Sequence, residues 1–330
     1  MRTWVTGIAG FLGSHLYDAL TAQGHEVLGN DSLICGDSEN APHLIPIDCR
    51  NFNLMKSALS SFRPDVLIHS AATAHEGFSS FSPSFITKNI YEASVATFSA
   101  AIASGVKRIV YMSSMSRYGN NIVPFDEEQT PNPVDPYAVA KVASENTLRI
   151  LAKTHGIEHV IAVPHNIIGP RQRYVDPYRN VAAIMINRCL QGKPIIIYGD
   201  GKQKRSFSPI SDCIHSLTKM IDAPIDGEII NIGPDSGEMT VSNLAEIIIR
   251  LTGSKCGIIH VDDRPNEVKE AYCSSDKAKR LLGYMPQDSV EDCLKVMVDY
   301  IKQKGAKPFK YDFGIEIEKG CPLTWKDKLI

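Results

Sequence analysis

The turn between the first apolar run and the first helical pattern constrains the fold more than any other feature of the sequence. Apolar residues over 2–6 predict a strand, and the apolar spacing over 11–22 predicts a helix. Between them stand Gly7, Gly10 and Gly13. Such a turn needs glycine for its tight bend, for close approach of the backbone to a pyrophosphate, and for packing of the helix on the strand. Because the helix N-terminus then faces the phosphates, the turn predicts a dinucleotide-binding α/β domain.

The acidic residue after the second predicted strand indicates which dinucleotide is bound. Asp31 lies 24 residues after Gly7, near the distance at which a carboxylate reaches the adenosine ribose hydroxyls. A carboxylate there repels a 2′-phosphate, and no Lys or Arg follows until Arg50, so NAD is favoured over NADP. Asp48, after the third predicted strand, is either an acceptor for the adenine amino group or a helix-capping aspartate. The cofactor contacts predicted from these motifs are Gly7, Gly10, Phe11, Leu12, Gly13, Asp31 and Asp48.

Short β-branched runs alternate with longer helical patterns up to about residue 165, which is typical of a parallel sheet covered by helices. The pattern predicts strands over 2–6, 26–30, 44–47, 66–70, 108–113 and 159–163, and helices over 11–22, 52–61, 84–104 and 137–155. The predicted fold is α/β, a Rossmann-type doubly wound parallel sheet with a smaller mixed α/β substrate-binding lobe. We expect the dinucleotide domain over 1–165 and the lobe over 166–303, with segment 228–233 returning to the main sheet. The pattern assigns no role to residues 304–330.

Charge and composition exclude several classes of function. The 35 basic and 37 acidic residues nearly balance, so no overall field draws the chain to nucleic acid or to an anionic membrane. No run approaches the roughly 18 apolar residues of a membrane span, and the first residues lack the apolar stretch of a signal peptide. Eight scattered cysteines show no zinc-type spacing and predict reduced thiols without a metal site. We therefore expect a cytoplasmic protein.

A Tyr-x-x-x-Lys pair places a phenol and an ammonium on one helix face, but the chain contains three such pairs. Tyr198 and its lysine span a Gly-Asp-Gly turn, and Tyr300 and its lysine end a predicted surface helix. Only Tyr137 and Lys141 begin a helix of the predicted dinucleotide domain. That pair follows Ser114, which lies at the carboxyl end of a parallel strand, the edge where such sheets bind ligands.

These three residues together predict acid–base catalysis. A free phenol has a pKa near 10, so Tyr137 is a poor base at neutral pH. We expect Lys141 and a bound nicotinamide cation to lower the pKa of Tyr137, while Ser114 hydrogen-bonds the same substrate oxygen.

Four motifs carry a family resemblance: Thr6 to Gly13, the His69-Ser70-Ala71-Ala72 run, the Ser113 to Gly119 run, and Pro136 to Lys141. They resemble the extended short-chain dehydrogenase/reductases, and within these the NAD-dependent nucleotide-sugar epimerases and dehydratases, most closely those of the UDP-glucose 4-epimerase type. The resemblance runs from residue 1 to about 300. It implies NAD as the cofactor, with Ala71 as a further contact, and a homodimer formed through the helices beginning near Ser84 and Tyr137.

The resemblance also implies roles for the catalytic residues. Tyr137 matches the family's base, Lys141 the residue that binds the nicotinamide ribose and lowers the pKa of the tyrosine, and Ser114 its Ser or Thr partner. In the 4,6-dehydratases an Asp-Glu pair follows that partner, and in related decarboxylases a Glu occupies the second place. Here Met115 and Ser116 follow Ser114. Because 4-epimerases commonly carry a hydroxyl at the second place, oxidation and re-reduction at C4 fits best, with Ser116 near the substrate.

The substrate residues are also implied by the resemblance rather than by spacing. The matched positions are Asn166, Asn180, Arg205, Arg264 and Ala271, which correspond to a pyrophosphate-binding Asn, an Asn at the nucleotide end, two diphosphate-clamping arginines and a position beside the sugar C2 group. A small residue at Ala271 would leave room for a 2-acetamido group. The chain departs from the family at Val163, Ser206 and Pro209, where Arg, Asp and an aromatic residue are usual.

The expected activity is therefore NAD-dependent 4-epimerisation of a nucleotide-diphospho-sugar, UDP-linked, through a transient 4-keto sugar. UDP-glucose and UDP-galactose, or a UDP-N-acetylhexosamine, are the expected substrates. The alternatives are another nucleotide-sugar reaction on this fold, by a UDP-glucuronate 4-epimerase, a decarboxylase, a dehydratase or a reductase, or a non-catalytic NAD-binding regulator.

Overall fold

The computed structural model describes residues 1–41, 43–265 and 267–330. Its strands are β1 Arg2–Thr6, β2 Glu26–Asn30, β3 Val66–His69, β4 Arg108–Met112, β5 Glu158–Pro164, β6 Ile167–Ile168, β7 Ile195–Tyr198, β8 Lys204–Arg205, β9 Ser208–Pro209, β10 Ile229–Ile232, β11 Met239–Thr240, β12 Ile258–Val261 and β13 Glu270–Ala271. Its helices are α1 Phe11–Ala22, α2 Phe52–Phe62, α3 Glu76–Ser79, α4 Pro83–Thr87, α5 Ala93–Ala103, α6 Pro136–His155, α7 Val181–Leu190, α8 Ile210–Lys219, α9 Val241–Thr252, α10 Asp276–Leu282, α11 Val290–Lys304 and α12 Leu323–Lys326. Within those described ranges, no helix has the length and apolar character needed to span a membrane.

Six parallel strands form the main sheet in the order β10-β5-β4-β3-β1-β2. After β1 the chain builds β2 on one side, then crosses to build β3 on the other, so the direction of winding reverses between β1 and β3. In a doubly wound sheet, ligands bind outside the carboxyl ends of the strands at this switch point. The return of β10 to the edge of the sheet confirms the prediction for segment 228–233.

Helices cover both faces of this sheet, because strands buried on both sides need apolar cover on both sides. On one face α1 and α8 bury Leu16, Leu20 and Leu217 against the strands. On the other face α2 and α5 bury Leu59 and Phe98. The doubly wound α/β prediction is confirmed.

Two predicted elements differ from the structure. Residues 44–47 form no strand, since only Ile45 bridges β2, at Asn30. The helix predicted over 84–104 is divided into α4 and α5 by a π-helical turn at Lys88–Glu92. The apolar pattern of residues 44–47 shows that they are buried. A strand also requires a continuous ladder of backbone hydrogen bonds to a neighbouring strand, which the pattern does not indicate.

The lobe is built from α7, α9 and α11 and the two-stranded parallel pair of β7 and β12. Its own core includes Ile186, Leu244, Ile248, Leu294 and Met297. The lobe stands beside the carboxyl edge of the main sheet, so the two together enclose one deep cavity.

The residues after α11, here called the C-terminal segment (305–330), run back over both parts of the molecule. The amide of Lys310 donates to the carbonyl of Val175 at 2.8 Å, and the amide of Glu316 donates to the carbonyl of Phe81 at 2.8 Å. In α12, Trp325 packs against the ring of Phe78. The segment therefore ties the loops of the sheet domain to the lobe.

Candidate active site

The cavity measures about 880 Å³ and lies at the switch point of the sheet. Its walls come from the glycine turn after β1, the loops after β2, β3 and β4, the start of α6, the lobe and the C-terminal segment. The residues predicted for the cofactor that line it are Gly7, Gly10, Phe11, Leu12, Gly13, Asp31, Asp48, Ala71, Tyr137 and Lys141. Those predicted for the substrate that line it are Ser114, Asn166, Asn180, Arg205 and Arg264.

The glycine turn has the shape that a dinucleotide requires. Gly7 has φ +69°, and a Cβ there would lie 2.7 Å from the Cα of Ala71, so the loops after β1 and β3 approach too closely for a side chain. A Cβ at Gly13 would collide with the carbonyl of Gly7, so only glycine lets α1 begin so near the strand. The backbone is thus open to a pyrophosphate at the start of α1, and the residues present fit NAD.

The two acidic residues of the predicted adenosine site are held differently. Asp31 is buried at the end of β2 and accepts hydrogen bonds from the amides of Ala9 at 3.1 Å and Leu33 at 2.7 Å. Desolvation nevertheless raises the pKa of Asp31. Asp48 is half-buried and paired with Arg50, whose Nε lies 3.0 Å from both carboxylate oxygens. The hydrogen bonds from Arg50 lower the pKa of Asp48.

The catalytic residues meet on one wall of the cavity. Tyr137 and Lys141 are buried in the first two turns of α6, and Ser114 follows β4. Lys141 Nζ donates a hydrogen bond to the carbonyl of Met112 at 2.7 Å and lies 5.9 Å from the centre of the Tyr137 ring. Asp135 caps this helix by accepting from the amide of Ala138 at 2.9 Å, which fixes where the phenol points.

The pKa directions are not those expected from the sequence. Burial raises the pKa of Tyr137, because desolvating a phenolate outweighs the interaction with the Ser114 hydroxyl. Burial also lowers the pKa of Lys141 to about 7. The main influences on the pKa of Tyr137 do not include Lys141, and the expected lowering by Lys141 together with a bound nicotinamide cation stays a prediction. The Ser114 hydroxyl and the charge of Arg179 favour the phenolate, and the positive charge of a bound nicotinamide ring would add to them.

A buried ion pair lies behind this wall. Glu145 accepts hydrogen bonds from Arg117 Nε at 3.1 Å and Nη2 at 3.0 Å, and also from the Ser113 hydroxyl. Its charge favours the protonated form of Lys141, one turn earlier on α6. Arg117 is thus occupied internally and is not available to a substrate carboxylate.

Two predicted substrate residues lie outside the cavity wall. Ser116 is buried behind Ser114 and donates a hydrogen bond to the Ser114 hydroxyl oxygen at 2.9 Å, so it positions that side chain instead of facing the sugar. Ala271 pairs with Arg205 in a three-stranded sheet formed by β11, β8 and β13, and it packs in the core with Cys273. Because its methyl group faces core side chains, the prediction that Ala271 makes room for a 2-acetamido group is wrong.

The two arginines of the substrate side converge on one carboxylate that the sequence reasoning did not single out. Arg205 Nη2 lies 3.1 Å from Glu267 Oε1, and Arg264 Nη2 lies 2.6 Å from Glu267 Oε2. The guanidinium of Arg264 also stacks 4.8 Å from the centre of the Tyr198 ring. Glu267 thereby holds two planar cationic groups side by side, as recognition of a diphosphate requires. The Arg264–Glu267 spacing of three residues was the only local signal of this pairing.

The two asparagines also face this side. Asn166 has φ +33° and donates from Nδ2 to the carbonyl of Ser206 at 3.1 Å. Asn180 caps α7, accepting from the amide of Ala182 at 3.0 Å.

An unpredicted cluster lies at the far wall. Cys35, His75 and Asp176 place one potential metal-ligand atom each within 4.8 Å of one another. His75 Nε2 is hydrogen-bonded to Asp176 at 2.8 Å, and burial, the largest influence, lowers the pKa of the histidine. These residues pack beneath the C-terminal segment, where the ring of Phe313 lies 5.0 Å from that of His75.

Comparison with known proteins agrees with the site. The model of the NAD dependent epimerase/dehydratase family matches residues 3–233. UDP-glucose 4-epimerase of Mycolicibacterium smegmatis is 30% identical over 92% of this chain and 99% of its own. UDP-N-acetyl-alpha-D-glucosaminuronate decarboxylase of Bacillus cytotoxicus is 30% identical over 92% of this chain and 98% of its own.

The solved structure of UDP-glucose 4-epimerase from Thermotoga maritima, with UDP-glucose, superposes with a TM-score of 0.86, at 30% identity over 92% of this chain and 99% of that one. The matched region of the family model contains the glycine turn, Ser114, Tyr137 and Lys141. The chain therefore belongs to the NAD dependent epimerase/dehydratase family.

Proposed function

We propose that the protein is an NAD-dependent nucleotide-sugar 4-epimerase acting on a UDP-linked hexose. The observation that carries the proposal is the meeting of Ser114, Tyr137 and Lys141 with the glycine turn on one cavity. A binding protein has no need of a buried phenol and ammonium aimed into its ligand site. The relatives that act on UDP-sugars support the same reading.

The glycine turn and Asp31 would hold NAD, which would supply a reversible hydride acceptor when bound. Tyr137 removes the proton of the C4 hydroxyl and returns it after the keto sugar has presented its other face. The Ser114 hydroxyl, itself oriented by Ser116, hydrogen-bonds the same oxygen. Lys141, through its hydrogen bond to the Met112 carbonyl, stays fixed to β4 near the phenol.

Binding energy is concentrated at the other end of the substrate. Arg205 and Arg264, aligned by Glu267, hold the diphosphate, while Asn166 and Asn180 contact the diphosphate and nucleotide. Because the sugar is held through its diphosphate, the ring stays free to rotate within the cavity. The 166–303 region accordingly serves as the substrate lobe, and 1–165 as the cofactor domain.

Decarboxylation is the second candidate, because one relative of equal identity is a UDP-N-acetyl-alpha-D-glucosaminuronate decarboxylase. The residues after Ser114 favour epimerisation over decarboxylation. Met115 and Ser116 provide no carboxylate there, and Ser116 points at Ser114 instead of the cavity.

We also propose that two copies associate through α6 and the preceding helices. Val139 and Ile150 lie on one face of α6, and their side chains are 53% and 66% exposed. Residues eleven apart lie on the same side of a helix, so Val139 and Ile150 form an apolar stripe. This stripe is exposed in a single chain. A stripe of this kind fits a four-helix interface between two copies.

The test is proton NMR of the purified protein with UDP-glucose, UDP-galactose and their N-acetylhexosamine and uronate counterparts, with no cofactor added. Epimerisation predicts that the H4 couplings of one sugar pair reach the same ratio from either side. Release of CO2 with a pentose product would instead establish the decarboxylase. If every sugar stayed unchanged while denaturation released NAD, the 4-epimerase proposal would be wrong and the cofactor assignment would stand.

A further inference from the structure

Glu76 stands out among the cavity residues that the mechanism does not use. It begins α3, directly after the loop that follows β3, and its carboxylate lies in the cavity wall. The hydrogen bonds and ion pairs of the described residues give that carboxylate no partner, whereas Glu267 holds two arginines. Only the backbone carbonyl of Glu76 is engaged, accepting from the Ser79 hydroxyl at 2.6 Å.

The charges around Glu76 show where along the cavity it lies. Its charge acts on the phenol of Tyr137, and the charges of Arg205 and Arg264 act on its own carboxylate. A Cβ added at the next residue, Gly77, would lie 3.4 Å from Arg264 Nη1. Glu76 therefore lies near both the arginine pair and the start of α6, which carries the phenol.

A nucleotide sugar has the same order of parts. Its reacting C4 is at the phenol and its C1 is joined to the diphosphate at the arginines, so the ring lies between them. The group beside Glu76 is consequently the sugar ring with its substituents. Glu76 is exposed to the cavity, and the surrounding protein atoms, with the negative charge of Asp135, raise the pKa of its carboxyl to about 7.

We propose that Glu76 selects the sugar: its carboxylate accepts hydrogen bonds from ring or exocyclic hydroxyl groups and repels a sugar that carries a carboxylate. This inference rests on the proposed function and narrows its substrate class to UDP-sugars without a C6 carboxylate. A hydrogen bond to a charged group is stronger than one to a neutral group. A second carboxylate placed at the same distance would instead add a like charge to those of Glu76 and Asp135.

Arg179 is the feature that could favour a uronate. It lines the cavity, its charge lowers the pKa of Tyr137, and its Nη1 atom is buried without a hydrogen-bond partner among the described residues. Its charge also helps to lower the pKa of Asp176, so the field of Arg179 already acts on a buried carboxylate of the lobe. Among the described residues, the carboxylate of Glu76 is a hydrogen-bond acceptor without a partner. We therefore expect the site to bind the hydroxyl groups of a sugar and not a carboxylate.

The experiment compares Glu76→Gln with the unaltered protein and with Glu246→Gln, which removes a carboxylate from an exposed position on α9 outside the cavity. Initial epimerisation rates are measured by NMR for UDP-glucose and UDP-glucuronate. We expect the unaltered protein to favour UDP-glucose in kcat/KM, Glu76→Gln to reduce that preference about tenfold, and Glu246→Gln to leave it unchanged.

A binding measurement keeps the inference testable apart from turnover. In a Tyr137→Phe background, calorimetry gives the Kd of each sugar with and without Glu76→Gln, and the affinity ratio should shift in the same direction. Preferential epimerisation of UDP-glucuronate by the unaltered protein would overturn the role of Glu76 and leave the 4-epimerase proposal intact. An equal loss with both sugars in Glu76→Gln would also overturn it. If the unaltered protein turned over neither sugar and Glu76→Gln left the affinity ratio unchanged, both proposals would be wrong. If the unaltered protein turned over neither sugar but Glu76→Gln shifted the affinity ratio, only the 4-epimerase proposal would be wrong.

Discussion

At the scale of single residues, the site depends on a phenol whose ionisation the protein opposes. Tyr137 is 6% exposed, and burial raises its pKa, while the only nearby basic side chain on its helix, Lys141, has its own pKa lowered to about 7. Proton transfer from the sugar is therefore coupled to the charge of the bound cofactor. This coupling suits a site that must not ionise until NAD and substrate are both in place.

Replacing Tyr137 by Phe should reduce kcat by about 10²- to 10⁴-fold, the usual contribution of a positioned acid–base group. NAD should stay bound, because the glycine turn and Asp31 do not depend on the phenol. The matched control is Tyr17→Phe, at a partly buried tyrosine of α1 that does not line the cavity. Turnover by NMR and NAD release on denaturation give the two readouts. Unchanged turnover in Tyr137→Phe would remove this residue as the base.

The pH dependence of sugar choice belongs to the same scale. Because the pKa of Glu76 is raised to about 7, its carboxyl gains charge as the pH rises from 6 to 8. The charged and titratable groups that face it are Asp135, Tyr137, Arg205, Arg264 and Glu267. The preference for UDP-glucose over UDP-glucuronate should therefore increase with pH in this range and be flat in Glu76→Gln. Rates of both sugars at pH 6, 7 and 8 check this, and a preference that falls with pH would contradict it.

At the scale of elements, the C-terminal segment forms part of the cavity wall. Trp325 and Ile330 line the cavity, and the Tyr198 hydroxyl lies 2.5 Å from that of Thr324. The segment also caps a helix of the sheet domain: the Glu316 carboxylate accepts from the amides of Ser84 at 2.9 Å and Phe85 at 2.8 Å. Free amides at a helix start are costly unless a side chain satisfies them.

Replacing Glu316 by Ala should therefore lower the free energy of unfolding by about 1 kcal/mol, the usual cost of losing a helix cap. The control is Glu318→Ala in the same segment, which loses only an exposed ion pair with Lys326 and should change stability by less. Urea unfolding followed by circular dichroism measures both. Equal effects of the two substitutions would show that the cap contributes nothing.

At the scale of the whole molecule, the exposed stripe on α6 predicts the assembly. Replacing Ile150 by Glu places a charge in the proposed interface, and desolvating that charge opposes association. The protein should change from a dimer to a monomer in size-exclusion chromatography with light scattering. Val296→Glu is the control, since Val296 is also aliphatic, 53% exposed and helical, but lies on α11. A monomeric unaltered protein, or a dimer in Ile150→Glu, would refute this interface.

Local patterns carried much of the fold and of the catalytic wall. The glycine turn, the helix start at Asp135 and the alternation of apolar runs all depend on neighbours within a few residues, so periodicity and turn chemistry are enough to locate them. Residues 44–47 show where prediction from local patterns fails. Their apolar character reflects burial, but a strand forms only where the backbone pairs with a neighbouring strand over several residues, and here only Ile45 does so.

The sequence by itself determined the doubly wound domain, its dinucleotide turn and which Tyr-x-x-x-Lys pair lies beside that turn, since each is written in short-range spacing. Only the tertiary structure decided that Glu267 joins Arg205 to Arg264, that Glu76 stays free near the start of α6 and those arginines, and that Ala271 faces the core. It also decided that residues 305–330 close the cavity. These features join residues that are distant in the chain, and packing of separate elements, which no local period encodes, sets their contacts.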